Sequence, residues 1–226
     1  MDFFQTTVSQ QSKKLSSKVL ESTFLSAGKV SIEFQRELEK SIGARNPVAL
    51  NSGTSSLHLG LHLMDLKKGD EVILPAQTFL ASGLAILMTG AKPVFCDINY
   101  LTGNICTNSL QEKITSRTKA IMPVHYGGLP ADLNQINKIA KENNLKVIED
   151  AAHALGSKYK GKPIGSISDF TAFSFQAIKQ VTAGDGGALC CKRISDYKRA
   201  NKLRWFGIDR EASKVSILGE RVFEVS

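Results

Sequence analysis

From residue 47 onward, five short apolar runs alternate with stretches of helical spacing. The runs are PVAL (47–50), EVILP (71–75), KPVFCDI (92–98), KAIMPVH (119–125) and KVIED (146–150). Continuous apolar runs suit strands covered on both faces. Between them, LHLGLHLMDL has helical spacing, TFLASGLAILMTG reads as a buried helix stopped by glycine, and SLQEKIT reads as a short helix. ADLNQINKIAKENN sets Leu133, Ile136, Ile139 and Ala140 on one face. DFTAFSF (169–175) alternates as a further strand. This pattern predicts an α/β fold of three layers, αβα, around a mostly parallel sheet. Ligands of such sheets sit at the carboxyl ends of strands, so the residues just after each run bear on chemistry.

The 226 residues, 42% of them hydrophobic, are enough for one sizeable core. Residues 1–45 are more polar and read as an arm and a helix, with residues 46–226 as one large domain. No run of about 18 apolar residues suggests a membrane span. The N-terminus lacks the apolar stretch of a secretory signal. Cys96, Cys106, Cys190 and Cys191 form no CxxC pair and read as reduced core thiols, which fits a cytoplasmic protein. The net charge of +8 permits phosphate or nucleotide partners. With no aromatic-interleaved basic stripe and no nucleic-acid motif, binding to nucleic acid is not expected.

Four places carry candidate chemistry. After the first run comes Asn51-Ser52-Gly53-Thr54-Ser55-Ser56, then a helix. Small residues there suit an anion at a helix N-terminus or plain N-capping. The stretch is neither GxGxxG nor a P-loop, which argues against a nicotinamide dinucleotide. Asp150 ends a buried run, where a carboxylate needs a cation or several donors. It suits a metal ligand, a general base, the partner of a protonated ring nitrogen, or a helix cap, and His153 follows three residues on. Phe79 suits stacking on a flat ring or a place in the core. In FSFQAIKQVTAGDGGAL (173–189), Ser174 and Lys179 stand at a strand exit before a loop with Gly184, Gly186 and Gly187, which allow positive φ and close backbone approach. A desolvated lysine there is either a nucleophilic amine or an ordinary turn residue. Together the four supply a phosphate cup, a carboxylate for a ring nitrogen, a stacking aromatic and an amine for an aldehyde. Pyridoxal 5′-phosphate (PLP) needs all of them.

The order and wording of these segments resemble the fold-type I PLP-dependent sugar aminotransferases of the DegT/StrS family. The matching stretches are SGTSSLHLGL, GDEVILPAQTFLASGLAIL, GAKPVFCDI, TKAIMPVHYGGLPADL, VIEDAAHALG, FSFQAIK and GDGGAL, within residues 25–205. The resemblance implies that Lys179 bonds the cofactor's aldehyde and then moves the proton. It implies that Asp150 pairs with the pyridinium nitrogen, His153 meets the ring hydroxyl, Phe79 stacks on the ring, and Gly53, Thr54 and Ser174 hold the phosphate. It further implies a homodimer with sites at the interface, a nucleotide-linked keto-sugar as substrate and glutamate as amino donor. LRWFGIDR (203–210) resembles a stretch of members that work on nucleotide-activated sugars. Related sugar dehydratases carry histidine in place of the lysine, so Lys179 favours transamination. Gln176 stands where the family often has histidine, and Asp185 where it usually has glutamate. The family continues into a small C-terminal domain, whereas this chain stops at GERVFEVS (219–226). The expectation is a PLP-binding large domain without that part, and the alternative is a cofactor-binding or dimerising fragment without turnover.

Overall fold

The computed structural model describes residues 5–22 and 24–208, with the backbone of 214–215 and 221–222. Two helices precede the sheet, α1 (Gln10–Glu21) and α2 (Lys29–Ile42). The first has no buried residue; the second seats Gln35 and Leu38 inward. The chain then alternates β1 (Pro47–Leu50), α3 (Gly53–His62), β2 (Glu71–Pro75), α4 (Leu80–Met88), β3 (Lys92–Cys96), α5 (Thr107–Glu112), β4 (Thr118–Ile121), α6 (Leu133–Glu142) and β5 (Lys146–Asp150). A small hairpin of β6 (Lys158–Tyr159) and β7 (Lys162–Pro163) leads to β8 (Phe170–Ser174), β9 (Gly187–Cys191) and α7 (Ile194–Leu203). Backbone pairing of Lys214–Val215 with Arg221–Val222 follows.

Seven strands form one sheet in the order β1-β9-β8-β5-β4-β2-β3. Only β9 runs against the others, so the expected mostly parallel α/β sheet is present. Three interior strands, β2, β8 and β9, are buried over all five of their residues. That is why their sequences read as unbroken apolar runs. Because β9 is covered on both faces, the adjacent Cys190 and Cys191 are both buried although they point to opposite sides. Cys106 departs from the expected core thiols: it is half-buried and caps α5.

Helix α6 buries the four residues its periodicity singles out, and the Asp132 carboxylate accepts the N–H of Gln135 at its start. Helix α4 corrects the sequence reading. It buries only Ser82, Ala85 and Ile86, and leaves Leu80, Leu84, Leu87 and Met88 exposed. Its partner strand β3 lies at the sheet edge, so one face of the helix has sheet beneath it and the other has none.

The glycine loop closes the fold at one tight point. A Cβ on Gly187 would lie 2.1 Å from the carbonyl oxygen of Ser52 and 2.6 Å from Ser56 Oγ. Backbone cannot yield there as a flexible side chain can. Gly187→Ala is therefore expected to destabilise the fold at the upper end of about 1–3 kcal/mol, read as a lower urea midpoint. An unchanged midpoint would show that the β1–α3 turn moves freely.

Candidate functional site

The carboxyl ends of β1, β5 and β8 lie on one edge of the sheet, and the candidate residues meet there. Ser52 caps α3 with its side chain, accepting the N–H of Ser55 at 3.1 Å. Capping leaves the helix end open, because the N–H groups of Gly53 and Thr54 have no acceptor within the helix. Gly53 faces Ser174: a Cβ on Gly53 would sit 2.9 Å from Ser174 Cβ and 3.3 Å from its Oγ. The missing side chain leaves a cradle of N–H groups and one hydroxyl at the positive end of a ten-residue helix. Such a cradle fits a phosphate.

Asp150 closes β5 and is 6% exposed. Its Oδ2 accepts the Ser82 hydroxyl at 2.7 Å and its Oδ1 the N–H of Ala152 at 3.2 Å. Thr78 shares a 2.7 Å hydrogen bond with Ser82. Between Thr78 and Ser82 in the chain, Phe79 heads α4 and is 77% exposed. That exposure rules out the core alternative for Phe79.

Lys179 is half-buried in the loop leaving β8. Burial holds its amine below the usual lysine range, while the negative charge of Asp150 pulls the other way. His153 lies in the same field. Burial first, then the Lys179 charge, holds its imidazole below the ordinary value, and Asp150 opposes both. The loop is tied at several points. Lys179 N–H donates to Gln176 O, Ala183 N–H to Phe175 O and Phe175 N–H to Gly186 O, each at 2.9 Å. The Gln180 amide also reaches His153 O. Of the three loop glycines, Gly184 alone takes positive φ, at +81°, while Gly187 serves close approach. Gln176 and Asp185 are exposed. The arm lies over this loop: Thr6 Oγ1 donates to Ala177 O at 2.9 Å, and residues 5–7 line a cavity of about 200 Å³ with Lys179.

All seven candidates thus fall on the same edge of the sheet or the loops leaving it. Asp209 and Arg210 of LRWFGIDR, and most of GERVFEVS, lie outside the described residues. Two features were missed in the sequence. The first is the hydroxyl pair Thr78 and Ser82. The second is a fully buried pair beneath Asp150. His125 Nδ1 accepts the N–H of Ala131 at 3.1 Å, so Nε2 carries the ring proton and donates to Glu149 at 2.8 Å. Glu149 also accepts the N–H of Ser168, and His125 N–H donates to Asp150 O, which braces the end of β5. A histidine and a carboxylate inside strands that are otherwise apolar were the signal available for it. No group of three or more metal-ligating side chains occurs among the described residues.

Comparison with known proteins agrees with this geometry. Residues 7–221 match the DegT/DnrJ/EryC1/StrS aminotransferase family. The chain is 43% identical over 187 residues to the spore coat polysaccharide biosynthesis protein SpsC of Bacillus subtilis, covering 83% of this chain and 47% of that protein. It is 37% identical over 206 residues to GDP-perosamine synthase of Escherichia coli O157:H7, covering 91% and 57%. The PLP form of the putative sugar aminotransferase Spr1654 from Streptococcus pneumoniae superposes with a TM-score of 0.90 at 31% identity, covering 100% of this chain and 60% of that one. The chain spans about half the length of the curated relatives it matches.

Proposed function

Because the chain belongs to the DegT/DnrJ/EryC1/StrS aminotransferase family, we propose that it serves PLP-dependent transfer of an amino group from glutamate to a keto-sugar carried on a nucleotide. The product is an amino sugar for surface polysaccharide. PLP is the cofactor of the family. The observation that carries the reading is the meeting of Lys179, in a partly desolvated amine environment, with Asp150, whose two oxygens are already held by donors. When bound, PLP supplies an electrophilic aldehyde and an electron-withdrawing ring.

Each residue then has a task of its own. Lys179 would offer the amine that holds the cofactor and, once free, would carry a proton between the substrate carbon that bears the nitrogen and the cofactor. Asp150 would face the ring nitrogen and stabilise a proton on it. Gly53 and Thr54 give backbone N–H groups to the phosphate, and Ser174 gives a hydroxyl. Phe79 covers the ring, and His153, held neutral by burial and by Lys179, faces the ring hydroxyl. A lysine at position 179 favours transamination over sugar dehydration, since the proton shift needs a mobile amine. The relatives' names, GDP-perosamine synthase and spore coat polysaccharide biosynthesis protein, support a nucleotide-sugar substrate and a polysaccharide destination.

The exposed face formed by Leu80, Leu84, Leu87 and Met88 of α4 and by Phe95 of β3 is the surface we assign to a second copy of the chain. No helix among the described residues is long and apolar enough to cross a membrane, and we assign the reaction to the cytoplasm. The test is the absorption spectrum of the purified chain with PLP, before and after glutamate. A visible band that converts to the pyridoxamine form on adding glutamate is the expected result. A band that ignores glutamate would mean cofactor binding without transamination, and no band would sink the reading.

A further inference from the structure

Helix α4 is built from LASGLAILM, and its third residue is an oddity. Ser82 is fully buried, in a helix whose other inward residues are Ala85 and Ile86. A hydroxyl in such a place costs stability unless it is bonded, and serine is a poor helix former. Both its bonds run toward the site. The Ser82 hydroxyl donates to Asp150 Oδ2 at 2.7 Å. Its proton being committed there, Ser82 Oγ can only accept from Thr78, 2.7 Å away. The chain of donors therefore runs Thr78 to Ser82 to Asp150. It also brackets Phe79, whose carbonyl accepts the Ser82 N–H at 3.1 Å. One buried serine thus ties the carboxylate at the end of β5 to the turn that carries the exposed aromatic.

We propose that Ser82 is a positioning residue for the cofactor ring, keeping the Asp150 carboxylate aimed while it fixes the Phe79 turn, with Thr78 as its outer support. The inference rests on the reading that Asp150 faces the pyridine nitrogen. Asp150 has two oxygens and three donors to serve once the ring is present: Ser82, the N–H of Ala152 and the ring N–H. Removing the Ser82 hydroxyl leaves one oxygen of a buried carboxylate short of its charge-assisted bond, which is among the stronger kinds. Without that bond the carboxylate is free to turn away from the ring nitrogen, and the misaligned pair holds the ring proton less firmly. A ring that carries less positive charge withdraws fewer electrons from the nitrogen joining it to Lys179, so that nitrogen becomes more basic.

The experiment compares Ser82→Ala, Ser82→Thr, Thr78→Val and Asp150→Asn in the full chain with PLP. It reads the dissociation constant for PLP and the pH midpoint of the visible cofactor band, with thermal unfolding as a check on folding. Ser82→Ala is expected to weaken PLP about tenfold and to move the band midpoint upward. Ser82→Thr should restore both, and Thr78→Val should shift the midpoint in the same direction by less. Should Ser82→Ala fail to fold, the half-buried Thr78 position decides, since its loss weakens only the outer link. If Asp150→Asn moves the midpoint while Ser82→Ala and Thr78→Val leave it and the PLP affinity within twofold of wild type, the role of Ser82 is overturned and that of Asp150 stands. If Asp150→Asn also leaves both unchanged, the reading of Asp150 falls, and this inference falls with it.

Discussion

Replacing Lys179 with alanine is expected to abolish borohydride-fixed cofactor: wild type loaded with PLP and reduced should keep it through denaturation, and Lys179→Ala should release it all. The chain holds many other lysines, and among the described residues none combines the same three conditions. Lys179 leaves β8 beside Ser174, it is half-buried, and it shares a field with Asp150. Burial disfavours the ammonium form and outweighs the pull of Asp150, so more of the amine is free at neutral pH than for a surface lysine. The sign gives a second readout. Loading should follow the free-amine fraction, rising with pH and reaching half its maximum below the ordinary lysine value of about 10.4. Non-covalent PLP should persist in Lys179→Ala, because the phosphate cradle at Gly53, Thr54 and Ser174 is untouched. The half-reaction with glutamate should fall by about 10²–10⁴-fold, the usual worth of a positioned acid-base group. Cofactor still fixed in the variant would move the amine's role to another lysine.

The fold was legible where burial makes sequence and structure speak the same language. Strands covered on both faces carry consecutive apolar residues, so Val72–Leu74 of β2 and Val147–Ile148 of β5 stand out, and the runs EVILP and KVIED have the boundaries they have in the structure. The inward stripe of α6 is equally direct, since one face of that helix meets the core and the other meets water. Sheet order was not legible. Nothing local in GALCC states that β9 inserts between β1 and β8, because its pairing with β1 reaches across more than a hundred residues. The same limit hid the buried His125–Glu149 pair and the Ser82–Asp150 bond, whose partners lie 24 and 68 residues apart. Helix α4 misled for a different reason: an apolar composition reports what a helix can cover, not whether its own chain supplies the cover. The site residues were readable singly because each follows a strand, and parallel strands deliver their carboxyl ends to one edge. The second layer, which holds those residues in place, appears only once the strands are side by side.

Asp150→Asn separates holding the cofactor from using it. The variant should keep borohydride-fixed PLP on Lys179, and its half-reaction with glutamate should slow by about a thousandfold. The substitution is nearly isosteric, and the surroundings can absorb it. The N–H of Ala152 can only donate, so it selects the asparagine carbonyl oxygen, which leaves the amide group facing Ser82. The Ser82 hydroxyl can rotate from donating to accepting, so no buried polar group is stranded and the fold survives. What changes is the charge presented to the ring nitrogen. A carboxylate stabilises a proton there, whereas a neutral amide offers no opposing charge, and the ring loses much of its pull on electrons. Covalent attachment does not depend on that pull, because it needs only the Lys179 amine and the aldehyde. Single-turnover absorbance with glutamate measures the loss directly. A rate within a few-fold of wild type would mean that Asp150 serves the strand end alone, with the bracing by His125 and Glu149 as its purpose, and that the ring nitrogen finds its partner elsewhere.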